Sequence, residues 1–182
     1  MKYSNVELII LHLIYERKSL SGYEINRLVE ERGYRNWAEI GTSSIYIGLE
    51  KLENKGLVVS MLDTTKQGKG PLPKKYSLTP DGEKVLMEEM RKALSGEADI
   101  PGRFTIGLSG LVLFTIEEAV VHLGRKREQL VSRIKTQNEQ AESLGGSKLP
   151  FHVWALFRHT TYMLEKELEF VDALIADLKG LL

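Results

Sequence analysis

Cysteine is absent from this chain, which excludes a disulfide framework and any thiolate metal site. Long hydrophobic runs are absent too. The longest apolar stretch, Ile106–Ile116, is broken by Gly107, Ser109, Gly110 and Thr115 and is too short to span a bilayer. No membrane partner is therefore expected. The opening residues, MKYSNVELIILHL, start helical periodicity at once and show no small-residue cleavage site. A signal peptide is not expected, and the cytoplasm is the expected compartment. An excess of either charge is also missing, because 25 Lys and Arg balance 25 Asp and Glu. What remains, 42% hydrophobic and 27% charged in 182 residues, suits one large globular domain or two small ones.

Catalytic constellations are missing as well. His12, His122, His152 and His159 show neither H-x-x-x-H nor H-E-x-x-H spacing. His152 and His159 would share a helix face, but with Glu165 the next acid along they read as structural. Gly68-Lys69-Gly70 lacks the following Lys-Ser/Thr of a phosphate loop. The acid pairs Glu30-Glu31, Glu88-Glu89 and Glu117-Glu118 are adjacent, so on a helix they point apart and read as solvated. No enzyme activity, metal or cofactor is expected.

Charge is placed unevenly where it matters. Residues 1–80 hold 12 Lys and Arg against 9 Asp and Glu, a balance of +3, and the remainder offsets it. Between Thr64 and Leu78 stand Lys66, Lys69, Lys74 and Lys75 with no acid, beside Pro71 and Pro73. Such a loop can track phosphates while the whole chain stays neutral.

The helical pattern around that loop is regular. Ser4 and Glu7 form a capping box for a first helix over Ser4–Arg17, with Val6, Ile9, Ile10, Leu13 and Ile14 as its buried stripe and Leu8 and Leu11 partly covered. Lys18-Ser19-Leu20 reads as a turn. Ser21 and Glu24 start a second helix that contacts the core through Tyr23, Ile25, Leu28 and Val29 and stops at Gly33. After the connector Tyr34–Gly41, in which Trp37 reads as a core plug with a DNA or ligand contact as the alternative, comes Thr42–Gly56, TSSIYIGLEKLENKG. Ile45, Leu49 and Leu52 make its inner stripe, and its cap is expected at Thr42 or Ser43. The opposite face carries Ser43, Ser44, Ile47 and Lys51, with Tyr46 on its flank. Gly56 takes the helix-ending position that favours positive φ. Strand-like Leu57–Leu62, the basic hairpin and Tyr76–Leu78 follow.

Helix, strand, basic hairpin and strand is the order of a winged helix-turn-helix, with Thr42–Lys55 entering the major groove of double-stranded DNA and the hairpin as wing. The expected contacts are Thr42, Ser43, Ser44, Tyr46, Ile47, Lys51, Lys66, Lys69, Lys74 and Lys75. A winged helix that binds protein instead of DNA is the alternative, disfavoured by four lysines without an acid.

Thr79-Pro80 is a helix start, and that helix runs through Val85, Leu86, Met90 and Leu94 to Ser95-Gly96. Linker composition over Ser95–Gly102 places the domain boundary there, giving a DNA-binding domain over 1–95 and a helical domain over 103–182. The second domain reads as a short helix Arg103–Phe114, then a long helix from Ile116 to about Ser143 capped by Thr115 and Glu118. Ala119, Val120, Leu123, Leu130, Val131 and Ile134 line one side of that long helix. A Gly-containing turn leads to the last helix, Phe151–Leu178. Its stripe, Phe157, Leu164, Leu168, Val171, Leu174, Ile175 and Leu178, is longer than one hairpin partner covers. A homodimer is expected through Leu164, Leu168, Val171, Leu174, Ile175 and Leu178. Phe151, Trp154 and Phe157 are candidate effector contacts, weighed against plain packing. The fold class is thus mainly α with a small β-wing: an N-terminal winged helix-turn-helix plus a C-terminal helical hairpin.

Several short motifs resemble the PadR family of bacterial transcriptional regulators. They are Ser21-Gly22-Tyr23-Glu24-Ile25, Trp37, Ser44-Ile45-Tyr46, Leu49, Leu52-Glu53, Lys55-Gly56-Leu57-Val58, Lys75-Tyr76-Ser77-Leu78-Thr79 and Gly82. Thr115–Ala119 and the chain length are similar to longer members with a helical C-terminal domain. The resemblance implies a homodimeric repressor on a pseudo-palindromic operator, released by a small aromatic or hydrophobic molecule.

Overall fold

In a computed structural model, which describes residues 3–36, 40–64, 72–98 and 100–182, the three expected capping boxes all form. The hydroxyls of Ser4, Ser21 and Thr115 accept from the amides of Glu7, Glu24 and Glu118 at 3.2, 3.3 and 3.2 Å, and each glutamate accepts in return from the cap amide. The helices they start are α1 (Asn5–Arg17), then, after strand β1 (Leu20–Ser21), α2 (Gly22–Glu31), and later the long C-terminal helices. A 3-10 turn at Tyr34–Asn36 precedes α3 (Thr42–Asn54), which leads to β2 (Val58–Leu62), β3 (Lys74–Leu78) and α4 (Pro80–Leu94). The remaining helices are α5 (Arg103–Ser109), α6 (Ile116–Ser143) and α7 (Phe151–Lys179). This is a winged helix-turn-helix followed by a helical hairpin.

Two units are distinct: Met1–Ala93 with Ala98–Leu113, and Leu94–Glu97 with Phe114–Leu182. In the first, α1 is the hub. Leu8 and Leu11, expected to be partly covered, are as fully buried as Ile9, Ile10, Leu13 and Ile14, while Val6 is only half-buried. The reason is that α1 is surrounded, with α2, α3, α5 and the sheet all packed on it. Its buried His12 faces Glu16 (Nε2 to Oε1 3.3 Å), which in turn pairs with Arg32 of the α2 end at 2.6 Å. Burial holds the imidazole below its ordinary value despite Glu16, so His12 is a neutral core residue.

Leu20, expected in a turn, is instead a strand residue. The sheet runs β1-β3-β2, all antiparallel, with Leu20 opposite Tyr76 and Val58 opposite Leu78. Two residues cannot announce a strand by periodicity; β1 exists because β3 offers an open edge. Tyr23, expected to contact the core, is exposed at the surface.

The expected helix Arg103–Phe114 ends at Ser109, and a separate 3-10 turn covers Leu111–Leu113. The break falls at Gly110, where a Cβ would sit 2.7 Å from Met90 Sδ. These residues also pack with the first unit, not with the C-terminal domain where the linker composition placed them. Arg103 is the anchor: it is buried, and its Nη2 donates to the carbonyl of Tyr3.

In the second unit α6 and α7 form an antiparallel hairpin. Ala119, Leu123 and Leu130 of α6 are buried, as are Leu164 and Val171 of α7, whereas Val131 is exposed. Lys126 pairs with Glu167 at 3.1 Å and Arg127 with Asp172 at 2.7 Å, which fixes the register of the two helices.

Candidate nucleic-acid interface

The geometry of α3 follows from what it buries. Ile45, Leu49 and Leu52 are fully inside, and Gly48 sits so close to α1 that a Cβ there would lie 2.7 Å from Ile10 Cδ1. The helix ends as expected. Gly56 has φ +70°, its amide donates to Glu53 O at 2.9 Å, and the Leu57 amide donates to Leu52 O at 3.0 Å. The start differs from expectation: Gly41 is the N-cap, and no side chain caps it. Thr42 and Ser43 lie inside the helix because Arg35 fixes the chain before it. Arg35 donates from Nε to Glu30 at 2.6 Å and from Nη2 to Asn26 at 2.6 Å, reaches the carbonyl of Ile40, and touches Thr42 Oγ1 at 3.4 Å. The connector's composition disclosed no such role for Arg35. Trp37 lies outside the described residues.

With its inner face fixed, α3 turns Thr42, Ser43, Tyr46, Ile47, Glu50, Lys51 and Asn54 outward. Ile47 is a large apolar side chain that is 51% exposed. Ser44 is different. It is half-buried, and its hydroxyl donates to Gly41 O at 2.5 Å, leaving an acceptor but no free donor. Tyr46 leans on α2, where a Cβ on Gly22 would fall 2.6 Å from its Cε1. That contact explains the glycine in Ser21-Gly22-Tyr23-Glu24. Sequence reading passed over Glu50 and Asn54. Their signal was available: at 100° per residue Ser43, Ile47, Glu50 and Asn54 share one stripe within about 60°.

Of the wing lysines, Lys66 and Lys69 lie outside the described residues. Lys74 is exposed. Lys75 pairs with Asp63 at 3.0 Å, and that hydrogen bond, with the Asp63 and Glu24 charges, raises its pKa. Asp63 stands one residue before the acid-free stretch, which is why a window from Thr64 missed it. The strands continue past β2, with the Asp63 amide donating to Pro73 O at 2.8 Å.

The C-terminal candidates divide. Leu164 and Val171 are buried within their own hairpin, while Leu168, Leu174, Ile175 and Leu178 are half-buried. A seam that sequence reading did not single out stays open. Leu156, Met163 and Phe170, seven residues apart, are 67%, 56% and 48% exposed. Phe151 is exposed, and its ring lies 6.0 Å from that of Trp154. Trp154 and Phe157 are half-buried and line a cleft of about 360 Å³ in which Phe151 takes no part. Among the described residues no helix is long and apolar enough to cross a membrane, and no three His, Asp or Glu side chains converge as a metal site.

Residues 10–88 match the Transcriptional regulator PadR-like family. Among solved structures the chain is similar to Bacillus subtilis PadR in complex with operator DNA, at 19% identity over 96% of this chain and 99% of that one, with a TM-score of 0.45. It is also similar to a PadR family transcription regulator from Clostridium difficile R20291, at 25% identity over 61% and 100%, TM-score 0.42. A third is Bacillus subtilis PadR in complex with p-coumaric acid, at 16% identity over 98% and 99%, TM-score 0.40. No curated protein matches the chain.

Proposed function

We propose that this chain is a sequence-specific DNA-binding regulator that acts as a repressor, and that α3 reads the major groove while the wing tracks phosphate. The family match over residues 10–88 supports this reading. The observation that carries it is Ile47, held outward by Ile45, Leu49 and Gly48 beneath it, and flanked by hydroxyl, amide and ammonium groups. An exposed isoleucine among polar neighbours suits a thymine methyl, and Ser43, Asn54 and Lys51 suit base edges and phosphates. Glu50 adds a carboxylate that accepts from cytosine N4 and repels misplaced phosphate.

The protomer acts in pairs on a pseudo-palindromic operator, with the two α3 helices about 34 Å apart. The dimer forms through the open α7 seam of Leu156, Met163 and Phe170, together with the half-buried Leu174. In this arrangement Leu164 and Val171 support the interface from inside the hairpin. A small aromatic or hydrophobic molecule bound by the C-terminal hairpin near Trp154 and Phe157 releases the operator. It does so by favouring one dimer geometry over another, and a hundredfold change needs about 2.7 kcal/mol of such preference.

Selection from a random DNA pool tests the reading. The protein should enrich one inverted repeat, and Ile47→Ala should lose about 1–3 kcal/mol of discrimination at one position of each half-site. A protein that enriches no sequence and binds DNA with no salt dependence would instead be the protein-binding winged helix.

A further inference from the structure

The start of α3 is not held by its own side chains. Gly41 occupies the N-cap without a side chain, and the Ser44 hydroxyl turns back to donate to Gly41 O, so no side chain accepts from the first amides. A helix end of this kind frays unless something outside the helix holds it. Arg35 is so placed. Gly33, at φ +68°, follows α2 and leads into the 3-10 turn Tyr34–Asn36, whose Asn36 amide donates to Gly33 O at 2.9 Å. Tyr34 is buried, and Arg35, the next residue, reaches back across α2. Asn26 and Glu30 stand about one turn apart on one face of α2, and both accept from its guanidinium at 2.6 Å. Its Nη1 donates to the carbonyl of Ile40, one residue before the cap, and Nη2 also comes within 3.4 Å of Thr42 Oγ1. All three guanidinium nitrogens are used, and they join α2, the connector and α3.

We propose that Arg35 is a positioning residue for operator recognition: its fork clamps the first turn of α3 to α2, and so sets where Thr42 and Ser43 meet the DNA. This rests on the reading that α3 enters the major groove, and it adds a residue that acts through others and makes no DNA contact of its own. Two features favour positioning over a phosphate contact. Glu30 Oε2 lies 2.6 Å from Arg35 Nε, so the positive charge is locally compensated and releases little counterion from DNA. The geometry also asks for a planar fork. Acceptors on three elements are met by nitrogens fixed in one plane, which a lysine ammonium on its flexible stem does not reproduce. The Glu30 pair adds little to the clamp, because that carboxylate is 70% exposed. Asn26 and the Ile40 carbonyl set the position, and the exposed Thr42 and Ser43 follow the turn they stand on.

The test compares full-length protein with Arg35→Lys, which keeps the charge and loses the fork, and with Asn26→Ala, which keeps Arg35 and loses its anchor on α2. Two measurements are made on each. Hydrogen exchange without DNA should be at least about tenfold faster in both variants for the Ser44–Tyr46 amides of α3, and unchanged in α1, where a general loss of stability would show. Binding to the selected operator and to a scrambled duplex, each across a salt series, should show the ratio of specific to non-specific affinity falling at least about tenfold. The salt slope and the non-specific affinity should stay at the wild-type values, because the charge is retained. A wild-type ratio in Arg35→Lys overturns the proposal. So does a lowered ratio without faster exchange in α3, and so does a flatter salt slope in Arg35→Ala by about 1.8 units per dimer, the mark of a phosphate contact. The exchange arm needs no DNA and separates the two readings. A wild-type protein that enriches no operator refutes the regulator, and unchanged exchange in a protein that does enrich one refutes the clamp alone.

Discussion

Lys75 Nζ lies 3.0 Å from Asp63 Oδ2, an ion pair across the stem of the wing. A lysine already facing a carboxylate releases little counterion from DNA, because its charge is locally compensated. The neighbouring Lys74 is exposed and has no such partner among the described residues. Lys74→Ala should therefore flatten the log–log salt slope of the dimer by up to about 1.8 units, from two lost phosphate contacts, while Lys75→Ala leaves it nearly unchanged. Asp63→Asn should free Lys75 and steepen the slope by a similar amount. Fluorescence anisotropy of an operator across a salt series reads all three, and equal slopes for the two lysine variants would reject the distinction.

Glu7 is buried beneath the end of α3, where the Lys55 ammonium pairs with it and the Ser4 amide donates to it at 2.8 Å. Burial pushes its carboxyl up, but the hydrogen bonds from Lys55 and Ser4 together outweigh it and hold the pKa below the ordinary 4.5. A depressed carboxyl contributes stability that is present above pH 4.5 and is lost as pH falls through the folded value. Glu7→Gln should cost about 1–2 kcal/mol at neutral pH, since the Lys55 left behind is part-exposed and regains water, and progressively less as the solution becomes more acidic. Urea unfolding at pH 7 and pH 3 checks it; a deficit as large at pH 3 as at pH 7 would contradict the ion pair.

Gly82 lies in the first turn of α4, against Leu57 just after the end of α3. A Cβ at that position would lie 2.0 Å from the carbonyl oxygen of Leu57, which also accepts from the Thr79 amide at 3.0 Å. Backbone atoms cannot yield as a side-chain tip can. Gly82→Ala should destabilise the first unit by about 3 kcal/mol or more, although alanine ordinarily favours a helix. Thermal unfolding monitored by circular dichroism measures the loss, and a neutral or stabilising result would refute the contact.

The α7 seam is the interface expected to hold the dimer. In a two-fold interface each substitution occurs twice, and Phe170 is already about half covered in its own chain, so Phe170→Glu should remove about 1.5–3 kcal/mol of association before any charge repulsion. Sedimentation velocity should show Met163→Glu with Phe170→Glu as a monomer with unchanged helix content. Truncation at Gly145 should likewise abolish the dimer and weaken operator binding more than it weakens the fold of residues 4–94. A double variant that still sediments as a dimer would move the interface elsewhere.

The chain alone determined what depends on residues within one helical turn of each other. Ser4 with Glu7, Ser21 with Glu24 and Thr115 with Glu118 each form the cap their spacing promised, and Gly56 ends α3 at positive φ. The inner stripe of α3 was legible for the same reason, and with it the outward position of Ile47. Tertiary structure decided whatever depends on partners far apart in sequence. β1 is a strand because Leu20 meets Tyr76, and Lys75 is paired because the hairpin brings Asp63 back to it. Residues Ala98–Leu113 join the first unit, where Arg103 reaches Tyr3 across about a hundred residues. The choice between the two apolar faces of α7 belongs here as well. Periodicity singled out one stripe, whereas burial against α6 assigns Leu164 and Val171 to the hairpin and leaves Leu156, Met163 and Phe170 open. A pattern reports which side chains avoid water, but the surface that covers them is a property of the folded chain.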